Sequence, residues 1–151
     1  MLIYTTLLLV HIVLAIVAVG FNISYGVWLA RAAREPEHQL HVLRGIKFLD
    51  DRFATPSYGL LIVTGLAMVF VLPWPITTFW ILGAIVLWFV TMALGGALYT
   101  PALRKQIAAL ESKGAASPEY QALAKRAQTM GMLTIIPVTL ILILMVFKPS
   151  L

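Results

Sequence analysis

Residues 2–30 read LIYTTLLLVHIVLAIVAVGFNISYGVWLA, a run without a single Asp, Glu, Lys or Arg. A helix crosses a hydrocarbon core of roughly 30 Å in about 20 apolar residues. This run is long enough to span, with a surplus that tilts the helix or carries it out of the bilayer. No basic stretch precedes it, and it is too long for the core of a signal peptide, so it reads as a retained first span. Three more segments have the same character, at about 53–72, 77–103 and 130–147. The reading is all-α: a polytopic membrane protein with four transmembrane helices in a bundle, and one integral domain over 1–151.

Composition agrees. The 151 residues are 61% hydrophobic and 11% charged, with a mean hydropathy of +0.95. A soluble domain carries about 25% charged residues, so these few could not cover a globule. All six acids, and every one of the eleven Lys and Arg residues except Lys148, fall within 31–52 and 104–129. The first stretch holds Arg31, Arg34, Arg44, Lys47 and Arg52; the second holds Arg104, Lys105, Lys113, Lys125 and Arg126. Between spans 2 and 3 lies Pro73-Trp74-Pro75, uncharged. The positive-inside rule places both basic loops in the cytoplasm and both termini outside. The aromatics fit, with Tyr4, Trp74, Trp80 and Phe147 at the outer interface and Trp28 and Tyr99 at the inner one. The net charge of +5 is thereby a topology signal and not a nucleic-acid footprint. With no cysteine, disulfides and thiolate chemistry are excluded.

The two loops carry helix signals. Pro36-Glu37 opens a turn, and Val42, Ile46 and Leu49 follow at helical spacing, which predicts a short amphipathic helix on the inner membrane surface. Gly114 marks the end of the third helix. Ser117-Pro118-Glu119, a cap followed by proline and an acid, marks the start of the fourth, inside the cytoplasm. Gly95 and Gly96, with Pro101 downstream, predict a bend in the third helix. Gly59, Gly65, Gly83, Gly95 and Gly96 are small enough to let helices approach closely. No internal repeat is visible.

His11 is the one ionisable side chain well inside a span. It lies about 15 Å deep, counting 1.5 Å per residue, and an ionisable group at that depth points to function. Ala15, Ala18, Asn22 and Tyr25 share its helical face, so the face should turn towards other helices. Neutral imidazole is the usual axial ligand of haem in a helical bundle. The alternative is a hydrogen bond to a neighbouring helix, either to the Leu133 carbonyl freed by Pro137 or to Thr64. Met68, Met92 and Met132 are candidates for a second ligand. Arg52, at the inner mouth of span 2, is a candidate for a propionate or a lipid phosphate, or a partner of Asp50 and Asp51. His38 and His41 sit three apart, with only Glu35 and Glu37 near enough to complete a metal site.

The runs Asp50-Asp51-Arg52-Phe53-Ala54-Thr55-Pro56-Ser57-Tyr58-Gly59 and Tyr99-Thr100-Pro101-Ala102-Leu103-Arg104 resemble an uncharacterised bacterial family of predicted four-helix integral membrane proteins. The likeness covers essentially the whole chain, and it implies a multi-pass protein of the bacterial inner membrane. His11 in span 1, Arg52 before Pro56 at the start of span 2, and Pro137 with the terminal Lys148-Pro149 are also distantly similar to the superfamily of HemJ-type protoporphyrinogen oxidases and CopD-like membrane proteins. That likeness implies haem b, with His11 as iron ligand and Arg52 as propionate contact. Thr77 to Val90 lacks the basic residue that HemJ-type proteins carry early in span 3, so redox or tetrapyrrole handling is expected in place of protoporphyrinogen oxidation itself. The other function carried forward is a cofactor-free structural or accessory subunit. Its partners would be membrane lipids, a second copy of the chain, or a larger membrane complex.

Overall fold

The computed structural model describes residues 1–149 and is helical throughout, with no strand among them. Six α-helices form four long rods: α1 (Leu2–Ala32), α2 (Gln39–Leu49) running into α3 (Thr55–Val71), α4 (Phe79–Met92) running into α5 (Thr100–Lys113), and α6 (Pro118–Phe147). All four rods are long and apolar enough to cross a membrane.

Local chemistry sets the breaks. Glu35, before Pro36, leaves the helical region at φ −129°, ψ 78°, because the proline ring crowds the preceding residue. Leu72 is extended before Pro73 for the same reason. Gly114 takes φ +78°, a conformation that glycine adopts freely, and ends α5. The Ser117 hydroxyl accepts a hydrogen bond from the Tyr120 N–H at 3.2 Å and caps α6. Two π-helical turns remain, Asp50–Ala54 and Ala93–Tyr99. Each is followed at once by a Thr-Pro pair, Thr55-Pro56 and Thr100-Pro101. Proline brings no N–H and crowds the carbonyl four residues back; a wider turn just before it relieves both problems. The bend expected from Gly95, Gly96 and Pro101 is this second π turn.

The basic segments carry the helices expected from Pro36, Gly114 and Ser117. They are almost wholly helical and continue the spans. The short helix expected after Pro36-Glu37 is α2. It joins α3 end to end through the first π turn and buries Leu43 and Ile46, with Val42 and Leu49 packed against the same core. The reason is that a core exists to receive it. Tyr25, Leu43, Ile46, Leu103, Leu110 and Tyr120 pack together at the charged end. Arg44 pairs with Glu111 at 2.8 Å across this layer, joining α2 to α5.

Along the spans the order of sizes inverts. Buried positions are mostly small: Ala18, Ala54, Ser57, Thr64, Ala84 and Thr91. Large residues such as Ile16, Val63, Phe70, Phe89 and Ile136 face outward. Lipid tails are as apolar as leucine, so helices associate there by close approach and not by hiding bulk. α1 packs chiefly on α3, and α4 on α6. These two pairs are tied together mainly at the charged end, where α2 meets α1 and α5, and α5 meets α6.

Candidate functional site

His11 sits on the face of α1 that meets α3. Its Nδ1 lies 2.8 Å from the Thr64 hydroxyl. That hydroxyl also lies 2.8 Å from the Leu60 carbonyl and 3.2 Å from that of Leu61, neither of which can donate. In the tautomer where the threonine proton goes to its own helix, the imidazole Nδ1–H donates to the threonine oxygen and Nε2 keeps its lone pair. Among the described residues Nε2 has no hydrogen-bond partner. Gly65 makes the seat: a Cβ there would stand 3.4 Å from the imidazole Cε1. Thr64 was one of the two partners expected. The other, the carbonyl freed by Pro137, lies on α6, where Pro137 is buried.

Below His11 on the same face the small and polar stripe turns towards α3. Ala18 and Tyr25 are buried. Asn22 donates to the Tyr58 hydroxyl at 2.7 Å and to the Ala18 carbonyl at 3.0 Å. Trp88 of α4 donates to the Tyr58 carbonyl at 2.9 Å, one of the few ties between the two helix pairs.

Arg52 lies elsewhere. It is exposed in the first π turn, and Asp51 is taken by Lys47. Among the described residues no carboxylate pairs with Arg52. Twelve helical residues separate it from Thr64, a rise of about 18 Å. His38 contacts Glu35 at 3.4 Å and Glu37 at 3.7 Å without His41, and among the described residues no cluster of three metal-ligating side chains occurs. Met68 follows Thr64 by one turn on α3, while Met92 and Met132 lie on α4 and α6.

A second polar cluster went unread in the sequence. Asp50, only 8% exposed, stands in the first π turn within electrostatic reach of the Tyr25, Tyr58 and Tyr99 hydroxyls. Burial pushes its carboxyl up to about 6; neighbouring Asp51 adds to the rise and Lys47 opposes it. Tyr99 comes from the second π turn, its ring against Gly131 of α6. The one hint in the sequence was Tyr25 on the His11 stripe. Asp50 passed for a partner of Arg52, because its burial depends on helices far away in the chain.

The family model described as "Predicted integral membrane protein (DUF2269)" matches residues 5–149. Among curated proteins and among solved structures nothing matches the chain.

Proposed function

This chain belongs to the family of predicted integral membrane proteins whose model spans residues 5–149, and we propose that within the membrane it binds a b-type haem through His11. The observation that carries this reading is the free Nε2. A histidine needed only to bond Thr64 leaves a lone pair without a partner in hydrocarbon, where an unmet polar group is costly. An iron ligand uses that lone pair, and its other nitrogen typically donates to a fixed acceptor, here Thr64. Bound there, haem would supply one-electron transfer. The protein's own part is to hold the imidazole in one tautomer over Gly65 and to surround it with lipid-facing apolar residues.

The setting we assign is the bacterial inner membrane, on the family likeness carried by Asp50–Gly59 and Tyr99–Arg104. Both charged segments face the cytoplasm, by the positive-inside rule. The test is a reduced-minus-oxidised visible spectrum of the purified protein beside His11→Ala. A b-type signal lost in the variant supports the reading.

One observation favours a second reading, a cofactor-free subunit of a larger assembly. Had Gly59, Gly95 or Gly96 a Cβ, nothing would lie within 4 Å of it, so these close-approach positions are left open for a helix from elsewhere. On that reading His11 is a contact between α1 and α3 only. The protein would then co-purify with a partner or a second copy, and its spectrum would be flat.

A further inference from the structure

Lys148 stands apart from every other Lys and Arg of the chain, at the opposite end of α6 from the charged segments. Topology accounts for those segments but not for this one cation. It ends α6 in the left-handed conformation, φ 44° and ψ 54°, with its N–H donating to the Leu144 carbonyl at 2.9 Å. Glycine is the usual residue in such a turn, and among the described residues Lys148 is the one non-glycine residue with a positive φ. Its ammonium lies over α4, 5.4 Å from the centre of the Trp80 ring. Trp80 in turn meets Trp74 edge to face, their ring centres 5.9 Å apart. The ring face attracts the ammonium but is no counter-ion. Among the described residues no carboxylate pairs with Lys148, and the one acid on α6, Glu119, sits in its first turn at the far end.

A groove of about 900 Å³ opens between α4 and α6 at this end. Phe79, Leu82, Val86 and Leu87 line it from α4 and Leu144 from α6, with Pro75 at its mouth. Two of these residues tie it to the lysine: Leu144 accepts the Lys148 N–H, and Phe79 adjoins Trp80. From Phe79 to Leu87 the helix rises about 12 Å, close to one leaflet of a hydrocarbon core roughly 30 Å thick. We propose that the groove and Lys148 together bind one anionic diacyl phospholipid, an acyl chain lying along α4 and the phosphate meeting the ammonium. Trp74 and Trp80 hold that ammonium at headgroup level, where indole rings settle. α4 begins at the same level, and its first N–H groups, without partners in the helix, add to the attraction for an anion. A zwitterionic lipid fills the groove equally well but carries its own cation, so the lysine selects for charge. Neither His11 nor a haem takes part.

The test reads tryptophan fluorescence of the full chain carrying Trp28→Phe and Trp88→Phe, so that Trp74 and Trp80 alone report. The protein is reconstituted in phosphatidylcholine vesicles containing a small, equal fraction of chain-brominated phosphatidylglycerol or chain-brominated phosphatidylcholine. Bromine quenches an indole only at short range. The expected result is several-fold stronger quenching by the phosphatidylglycerol. Lys148→Gln should bring it down to the phosphatidylcholine level, Lys148→Arg should keep the preference, and Lys105→Gln, at the charged end, should leave it unchanged. Val86→Phe fills the groove and keeps the charge, and it should weaken quenching by the phosphatidylglycerol. Equal quenching by the two lipids before Lys148 is changed, a preference that survives Lys148→Gln, or full quenching in Val86→Phe overturns the proposal. Loss of the preference in glycerol 3-phosphate overturns it too, since the site would then be one for a soluble phosphate.

Discussion

At the scale of single residues, the contact between His11 and Thr64 decides most. Interhelical hydrogen bonds in bilayers contribute about 0.6 kcal/mol on average and up to about 1.7. Thr64→Val removes the acceptor and should cost about that much in a reversible detergent-unfolding measurement. It should also broaden or weaken the haem signal, because the imidazole loses its orientation. Gly65→Ala brings a methyl to van der Waals distance and should be nearly silent, whereas Gly65→Leu should expel the ring and abolish the signal. Asp50 makes a pH prediction. Its carboxyl rises from 3.8 to about 6 on folding, so between those values the folded chain holds more protons than the unfolded one. Stability therefore falls as pH climbs through that window, and the loss is complete above about 6. Asp50→Asn should remove this slope and unfold later than the parent at pH 7.5. An unchanged slope in the variant would show that another group is responsible. Thr64 was legible as a partner because depth along a helix follows from residue count alone. The cluster of Asp50 with three tyrosines was not legible, since it needs three separated segments to meet.

At the scale of elements, the two π turns and the α5–α6 hairpin are the informative pieces. The Ser117 cap and the Gly114 stop were readable because each acts within three residues of its own backbone. Ser117→Ala should cost about 1 kcal/mol. Gly114→Ala places a Cβ at φ +78° and should cost at least as much. Amides of 50–54 and 93–99 should exchange hydrogen faster than those of mid-α1 and mid-α4, since the wider turns hold weaker hydrogen bonds. Protection equal to the spans would show these turns to be regular helix in the membrane. Neither π turn was predicted as such. Gly95, Gly96 and Pro101 signalled irregularity, but its form depends on how Tyr99 packs on α6. The charged segments showed their helices through Pro36, Gly114 and Ser117, but not that these helices pack on one another. Leu43, Leu103 and Leu110 were the quieter signal that they share a core.

At the scale of the whole molecule, the chain combines two kinds of assembly. Its spans pair through small residues, α1 with α3 and α4 with α6, and its charged end holds a core of leucine, isoleucine and tyrosine like that of a water-soluble protein. The chain lacks cysteine, so single introduced cysteines report cleanly on topology. In intact cells a membrane-impermeant thiol reagent should label Trp74→Cys and Lys148→Cys and spare Arg31→Cys and Lys105→Cys. The reverse pattern would invert the orientation. The α4–α6 pairing should appear as cross-linking between Gly83→Cys and Leu144→Cys by a short bifunctional reagent, since those positions nearly touch. The central claim is that His11 presents its free nitrogen to haem iron. It is tested most directly by expressing the chain with ample haem, purifying it in mild detergent and recording the reduced-minus-oxidised spectrum of the parent and of His11→Ala. The account predicts a b-type spectrum near one haem per chain that the variant loses while remaining folded. A flat spectrum in the parent, or one that survives in the variant, would contradict it.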